Sequence, residues 1–152
     1  MSSTKITGRR RGASWAPSAR FVGLFFLWTS GIHVGIVAAD PAFYRHFADG
    51  SLLPGLTAVW DSVFMAHAAA AGLAVAAGQA SLAALLLGPR RWHRLGWAGT
   101  IAFHLALMCF GWGFWLWSVP ALAVLVRGAV ADRASTDGPG SSQPMTQVGH
   151  IR

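Results

Sequence analysis

The sequence predicts an all-α integral membrane protein: a four-helix bundle with a short interfacial helix in its first outer loop. Three observations predict it. Only 11% of the 152 residues are charged and 54% are hydrophobic, whereas a soluble domain carries about 25% charged residues. The few charges sit in clumps with long charge-free runs between them, the pattern of a chain whose solvent is mostly lipid. The clumps are basic and fall at the flanks of the apolar runs, where they act as topology signals.

That placement also decides what the net charge of +7 means. Lys5, Arg9, Arg10, Arg11 and Arg20 precede the first apolar run, Arg90, Arg91 and Arg94 separate two later ones, and Arg127 and Arg133 follow the last. Membrane lipid is therefore the expected partner, with attraction to anionic headgroups, and nucleic acid is not. The single cysteine, Cys109, lies in an apolar run, so there is no redox pair for thiol chemistry within the chain.

Residues 1–19 are polar and basic and are expected to form a disordered cytoplasmic tail. Arg9-Arg10-Arg11 resembles a twin-arginine signal without its usual apolar sequel. The stretch Phe21–Ala39 is about 19 residues long, beyond a signal-peptide core of about 7–15, and is read as an uncleaved first span. The loop 41–60 follows, with Asp40, Asp49 and Asp61 around it against a lone Arg45. Asp40 is placed to cap a helix that has Pro41 at its first position. Phe43 and Phe47 then share a face, and Pro41–Asp49 reads as the interfacial helix. Residues 63–87 form the second span, and Gly88–Arg94 is a short basic loop.

Residues 95–126 form one long, predominantly apolar stretch. One helix of that length would reach about 48 Å at 1.5 Å per residue, against a hydrocarbon core of about 30 Å. Gly111-Trp112-Gly113 offers a turn, so two spans are expected, near 95–110 and 114–127, with Pro120 in the second. Four spans in a membrane domain of residues 20–130 put every basic segment on one side. The positive-inside rule then makes the chain a multi-pass protein of the cell membrane with both termini cytoplasmic, the second tail being 131–152. Trp60, Trp112 and Trp115 are expected near the outer surface, and Trp92 and Trp97 near the inner one.

His33, His67 and His104 are the ionisable residues within the spans, costly there and candidates for function by default. Each lies roughly 7–11 Å below the outer surface at 1.5 Å per residue. His33 shares a helix face with Thr29 and Ser30, and His104 with Thr100. His67 lies on a stripe of small residues, Ala70, Ala71, Ala74 and Gly78. All three are expected to point inward, with Thr29 and Thr100 as supporting hydrogen-bond partners. Three readings stay open. The histidines are interhelical hydrogen-bond partners in a non-enzymatic protein, or they hold a quinone or haem b in a membrane redox subunit, or they line a proton-coupled pathway. Gly31 and Gly35 form a GxxxG pattern, read as a packing face.

Residues 20–127 resemble the DoxX-like family of small four-helix membrane proteins. The first span, Arg20-Phe-Val-Gly23-Leu-Phe-Phe-Leu27-Trp28-Thr-Ser30-Gly31, is similar to that family's opening run. Phe47-Ala-Asp-Gly50 with Pro54 resembles its loop element, and Leu85-Leu86-Leu87-Gly88 resembles the end of its second span. Family members often carry a lysine near His33 and a glutamate where this chain has Gln79, a neutral amide. The resemblance implies a membrane component of quinone-linked or sulfur-linked redox complexes, with other redox proteins as partners.

Overall fold

The computed structural model describes residues 16–135, all of its regular structure helical. The two tails read from the sequence, apart from their inner edges, lie outside the described residues. Helix α1 (Ala19–Ala39) is opened by Ser18, whose hydroxyl accepts the Phe21 N–H at 3.2 Å. At its far end Asp40 turns extended and accepts the Ala42 N–H at 2.9 Å, with Pro41 next in line. Such a cap contributes about 1 kcal/mol. The helix it starts, Pro41–Ala48, is a 3₁₀ helix rather than an α-helix. The second long segment, Leu56–Leu87, is broken into pieces: α2 (Leu56–Val59), a π turn (Trp60–Phe64), a 3₁₀ turn (Met65–His67) and α3 (Ala68–Leu87).

Gly88-Pro89 reverses the chain into α4 (Arg90–Leu107). A 3₁₀ turn over Met108–Phe110 then leads to Gly111, and α5 (Trp112–Ala134) returns. Gly111 has φ 115°, a left-handed-side conformation that glycine alone adopts cheaply. It also lacks room, since a Cβ there would fall onto the Gly50 carbonyl oxygen. The expected break in the 95–126 stretch is therefore present, between α4 and α5, at the glycine expected to supply it.

Helices α1, α3, α4 and α5 run alternately up and down. Ser30 donates to the Ala76 carbonyl at 2.8 Å, joining the middles of α1 and α3. Small residues allow the close approach: a Cβ on Gly23 would strike Leu87, and one on Gly72 would strike Val37 and Tyr44. Gly96 and Gly99 likewise receive Leu86 and Leu82 where α4 crosses α3. The core proper lies toward the Ala19 end, around Val22, Phe26, Ala83, Leu86, Trp97 and Leu125. There Asp132 of α5 pairs with His93 at 3.0 Å and accepts the Trp97 indole N–H at 3.2 Å.

Three helices, Ala19–Ala39, Leu56–Leu87 and Trp112–Ala134, are long and apolar enough to cross a membrane, which by length and composition marks the chain as membrane-associated. Helix α4 is the less apolar one, carrying Arg90, Arg91 and Arg94 at its start.

Several expectations are corrected. Trp97 is 2% exposed and belongs to the core, because Asp132 supplies its N–H with a buried partner. Gly31 and Gly35 are exposed, and a Cβ on either meets nothing within 4 Å, so they form no packing face among the described residues. The buried stripe of α3 is Gly72, Ala76, Gln79, Ala83 and Leu86, not the one containing Ala70, Ala74 and Gly78. Helix α3 is small and apolar on every side, so periodicity favoured no face.

Candidate functional site

Four helices of alternating direction leave a space between their Ala39-side ends, and the loop after α1 closes it. The 3₁₀ helix matters here. With three residues per turn, Pro41, Tyr44 and Phe47 eclipse one another and share a ridge. That ridge turns inward: Tyr44 is 1% exposed, Phe47 is half-buried and Phe43 is 57% exposed. The loop is then fastened down. Thr57 donates to the Ala48 carbonyl at 3.0 Å, and the Leu52 N–H and Ser51 hydroxyl both reach the Cys109 carbonyl at 3.2 Å. The Trp60 indole donates to the Tyr44 carbonyl at 2.9 Å and its ring stacks on Phe64 at 3.8 Å. Those two rings bracket the π turn, a helix defect that frequently accompanies functional sites.

Beneath this lid lies a cavity of about 550 Å³, within the range of small-molecule sites. Phe25, Phe26, Phe47, Phe64, Phe103 and Phe114 make much of its wall. Five polar side chains interrupt the apolar lining: Thr29, His33, Tyr44, Gln79 and His104.

Their chemistry is specified by their partners. His104 is 3% exposed, and its Nδ1 lies 2.9 Å from the Thr100 carbonyl. A carbonyl only accepts, so Nδ1 carries the proton and Nε2 of the neutral ring is an acceptor. His33 Nδ1 lies 2.6 Å from the Tyr44 hydroxyl, and the two ring planes are within 7° of parallel. Burial pushes the Tyr44 phenol up from its ordinary value, so at neutral pH it is a hydroxyl that can donate to His33 or accept from it. Gln79 is 4% exposed, and its Oε1 has no hydrogen-bond partner. Leaving such a group unpaired costs about 1–3 kcal/mol, so a ligand donor at Gln79 would be well received.

Of the residues singled out in the sequence, His33, His104 and Thr29 line this cavity together. Thr29 spends its hydroxyl on the Phe26 carbonyl at 3.0 Å. Thr100 is fully buried behind His104 and supports it through its carbonyl, not its hydroxyl, which donates to the Trp97 carbonyl at 3.0 Å. His67 is corrected: it is exposed and does not line the cavity. It closes the 3₁₀ turn just before α3, and the π and 3₁₀ turns rotate it away from the face an unbroken helix would give it. Tyr44 and Gln79 are the additions. The three-residue spacing from Pro41 was the signal for Tyr44. Gln79 was marked only as a neutral amide standing where the family that the sequence resembles often carries a glutamate.

No group of three or more histidine, cysteine or acidic residues positioned for a metal ion occurs among the described residues. Compared with protein-family models, curated proteins and solved structures, the chain matches none of them.

Proposed function

We propose that this chain is a four-span protein of the cell membrane that binds a quinone-type ring beneath its outer loop, as a component of a membrane redox system. The observation that carries the proposal is the cavity itself: a largely aromatic lining, with His33–Tyr44, Gln79 and His104 as its polar contacts. A quinone ring needs apolar, aromatic surroundings and a few hydrogen-bonding groups for its oxygens. When bound, such a ring supplies two-electron, two-proton redox chemistry. His104 Nε2 and Gln79 Oε1 would accept from ring hydroxyls. His33, coupled to Tyr44, would donate to a ring carbonyl and draw on the phenol as a proton neighbour.

Haem b suits the same cavity less well. No lysine or arginine lines it, so the two propionates would be buried without cationic partners, a costly arrangement. The structural reading has one observation in its favour, since the His33–Tyr44 bond also ties the lid to α1.

The fourth span in this proposal is α4. Its arginines occupy the end that also holds Arg20, Arg127 and Arg133, while Asp40, Asp49 and Asp61 lie at the other. That asymmetry supports a cytoplasmic Ala19 end and cytoplasmic termini. Membership of the DoxX-like family belongs to the same proposal, supported by the four-helix order and the loop after the first helix.

Titrating a short-chain benzoquinone into the protein in lipid nanodiscs, followed by quenching of tryptophan fluorescence, tests the reading. Saturable quenching that weakens about tenfold in His33→Ala is expected, the loss of the hydrogen bond that His33 donates to a ring carbonyl. Non-saturable quenching, identical in the variant, would refute it.

A further inference from the structure

A second cavity of about 270 Å³ adjoins the first. The two share Phe25, Phe26, His104 and Trp117, so they are separated by side chains and not by a helix. The remainder of its lining comes from α1 and α5 alone: Phe21, Val22, Pro120, Ala121, Val124 and Leu125. Among its described lining residues only His104 and the indole of Trp117 carry polar side-chain atoms, and both belong to the wall shared with the first cavity. The slot beyond them is wholly apolar and fits hydrocarbon.

Its position gives it a direction. From Trp117 to Leu125 it follows α5 for roughly 12 Å at 1.5 Å per residue, leading away from the ring site toward the Ala19 end. It lies along the seam between α1 and α5. Phe21 is 61% exposed and Pro120 is exposed, so the slot opens on the lipid-facing side and not into the bundle.

We infer that this slot is a tail subsite, and that the natural ligand is a ring bearing a long apolar chain, admitted sideways from the bilayer between α1 and α5. The inference rests on the ring-binding reading above and deepens it by naming the ligand class as membrane-resident and prenyl- or alkyl-tailed. Continuity with the ring site identifies the occupant. A chain attached to a ring held at His104 finds the slot on the other side of Phe26 and Trp117. Because lipid tails are as apolar as the slot, burial of the chain adds little affinity by itself. The slot acts by shape, so blocking it should exclude the tail.

The test uses two probes on the full-length protein in nanodiscs, a dimethoxy-methyl-benzoquinone without a tail and the same ring with a decyl chain. They are measured on wild type, Ala121→Phe and Val124→Phe. Overfilling a packed site costs enough to weaken binding about tenfold or more. The tailed probe should lose that much in both variants while the tail-less probe keeps its wild-type affinity, which also shows that the variants are folded. Equal loss of both probes, or no loss of either, would overturn the tail subsite and leave the ring site standing. Failure of the tail-less ring to bind wild type would instead overturn the ring site.

Discussion

Replacing Tyr44 by Phe removes one oxygen atom from a contact that ties the lid to α1. The ring is 1% exposed and packs against Phe47 and Phe64, each at 5.3 Å between centroids. Phenylalanine keeps those contacts. What is lost is the 2.6 Å bond to His33 Nδ1. A neutral hydrogen bond contributes about 0.5–1.5 kcal/mol net, and a buried partner left unpaired costs about 1–3 kcal/mol. His33 is only half-buried, so the lower part of that range applies and Tyr44→Phe should destabilise by about 1–2 kcal/mol. Tyr44→Ala also empties the aromatic volume beside Gly72, and should cost about 3–5 kcal/mol. Reversible unfolding in mixed micelles, followed by circular dichroism, measures both. The order wild type, Phe, Ala, with a clear step at each change, is the expected result. If Phe matches wild type and Ala falls within about 1 kcal/mol of it, far below the cost of emptying a core site, the lid is not packed on the bundle.

The remaining predictions concern the turn, the phenol, the inner end and the topology. Gly111→Ala combines a positive φ with a clash against the Gly50 carbonyl. It should destabilise by more than about 2 kcal/mol, the joint cost of a side chain in an extended positive-φ conformation open essentially to glycine and of displacement, as read by the same unfolding assay. Tyr44 is the only tyrosine in the chain, so phenolate absorbance during an alkaline titration reports it alone. Its midpoint should lie above about 10, the ordinary phenol value. Because the folded value exceeds the unfolded one, its contribution to stability is present below that ordinary value and is lost as pH rises through the folded one. A midpoint at or below the ordinary value would contradict its burial. Asp132→Ala deprives His93 and Trp97 of their acceptor and should cost about 1–3 kcal/mol, with a shift in tryptophan emission. In a Cys109→Ser background, cysteines at positions 53 and 135 should label from opposite sides of sealed vesicles. Labelling of both from one side would refute the four-span arrangement.

Much of this arrangement was legible because local chemistry specified it. Asp40-Pro41 carries a cap and a first-turn proline in two adjacent residues, and the chain turns there. Gly111-Trp112-Gly113 marked a place near the middle of an overlong apolar stretch where it could reverse. The polar residues on α1 and α4 recur at a spacing of four, so Thr29–His33 and Thr100–His104 could be assigned to inward faces. Helix α3 was illegible for the opposite reason. Alanine and glycine occur on every side of it, several small-residue stripes exist, and the one running from His67 was not the buried one. The π turn added a rotation that no periodicity announces. Tyr44 escaped because an α-helical reading of the loop pairs Phe43 with Phe47, whereas the 3₁₀ geometry turns Tyr44 and Phe47 inward together. Trp97 was assigned to the membrane interface because its acceptor, Asp132, lies 35 residues away in sequence, beyond the reach of any local pattern.

Photolabelling is the most direct test of a ring held beneath the lid. An azido-substituted benzoquinone would be irradiated with the protein in nanodiscs, and the labelled peptides mapped by mass spectrometry. Label confined to the segments around His33–Phe47 and Phe103–Phe114, and abolished by excess unmodified quinone, is the predicted result. Label spread over the lipid-facing residues of α1 and α5 alone, or label that excess quinone does not displace, would contradict it.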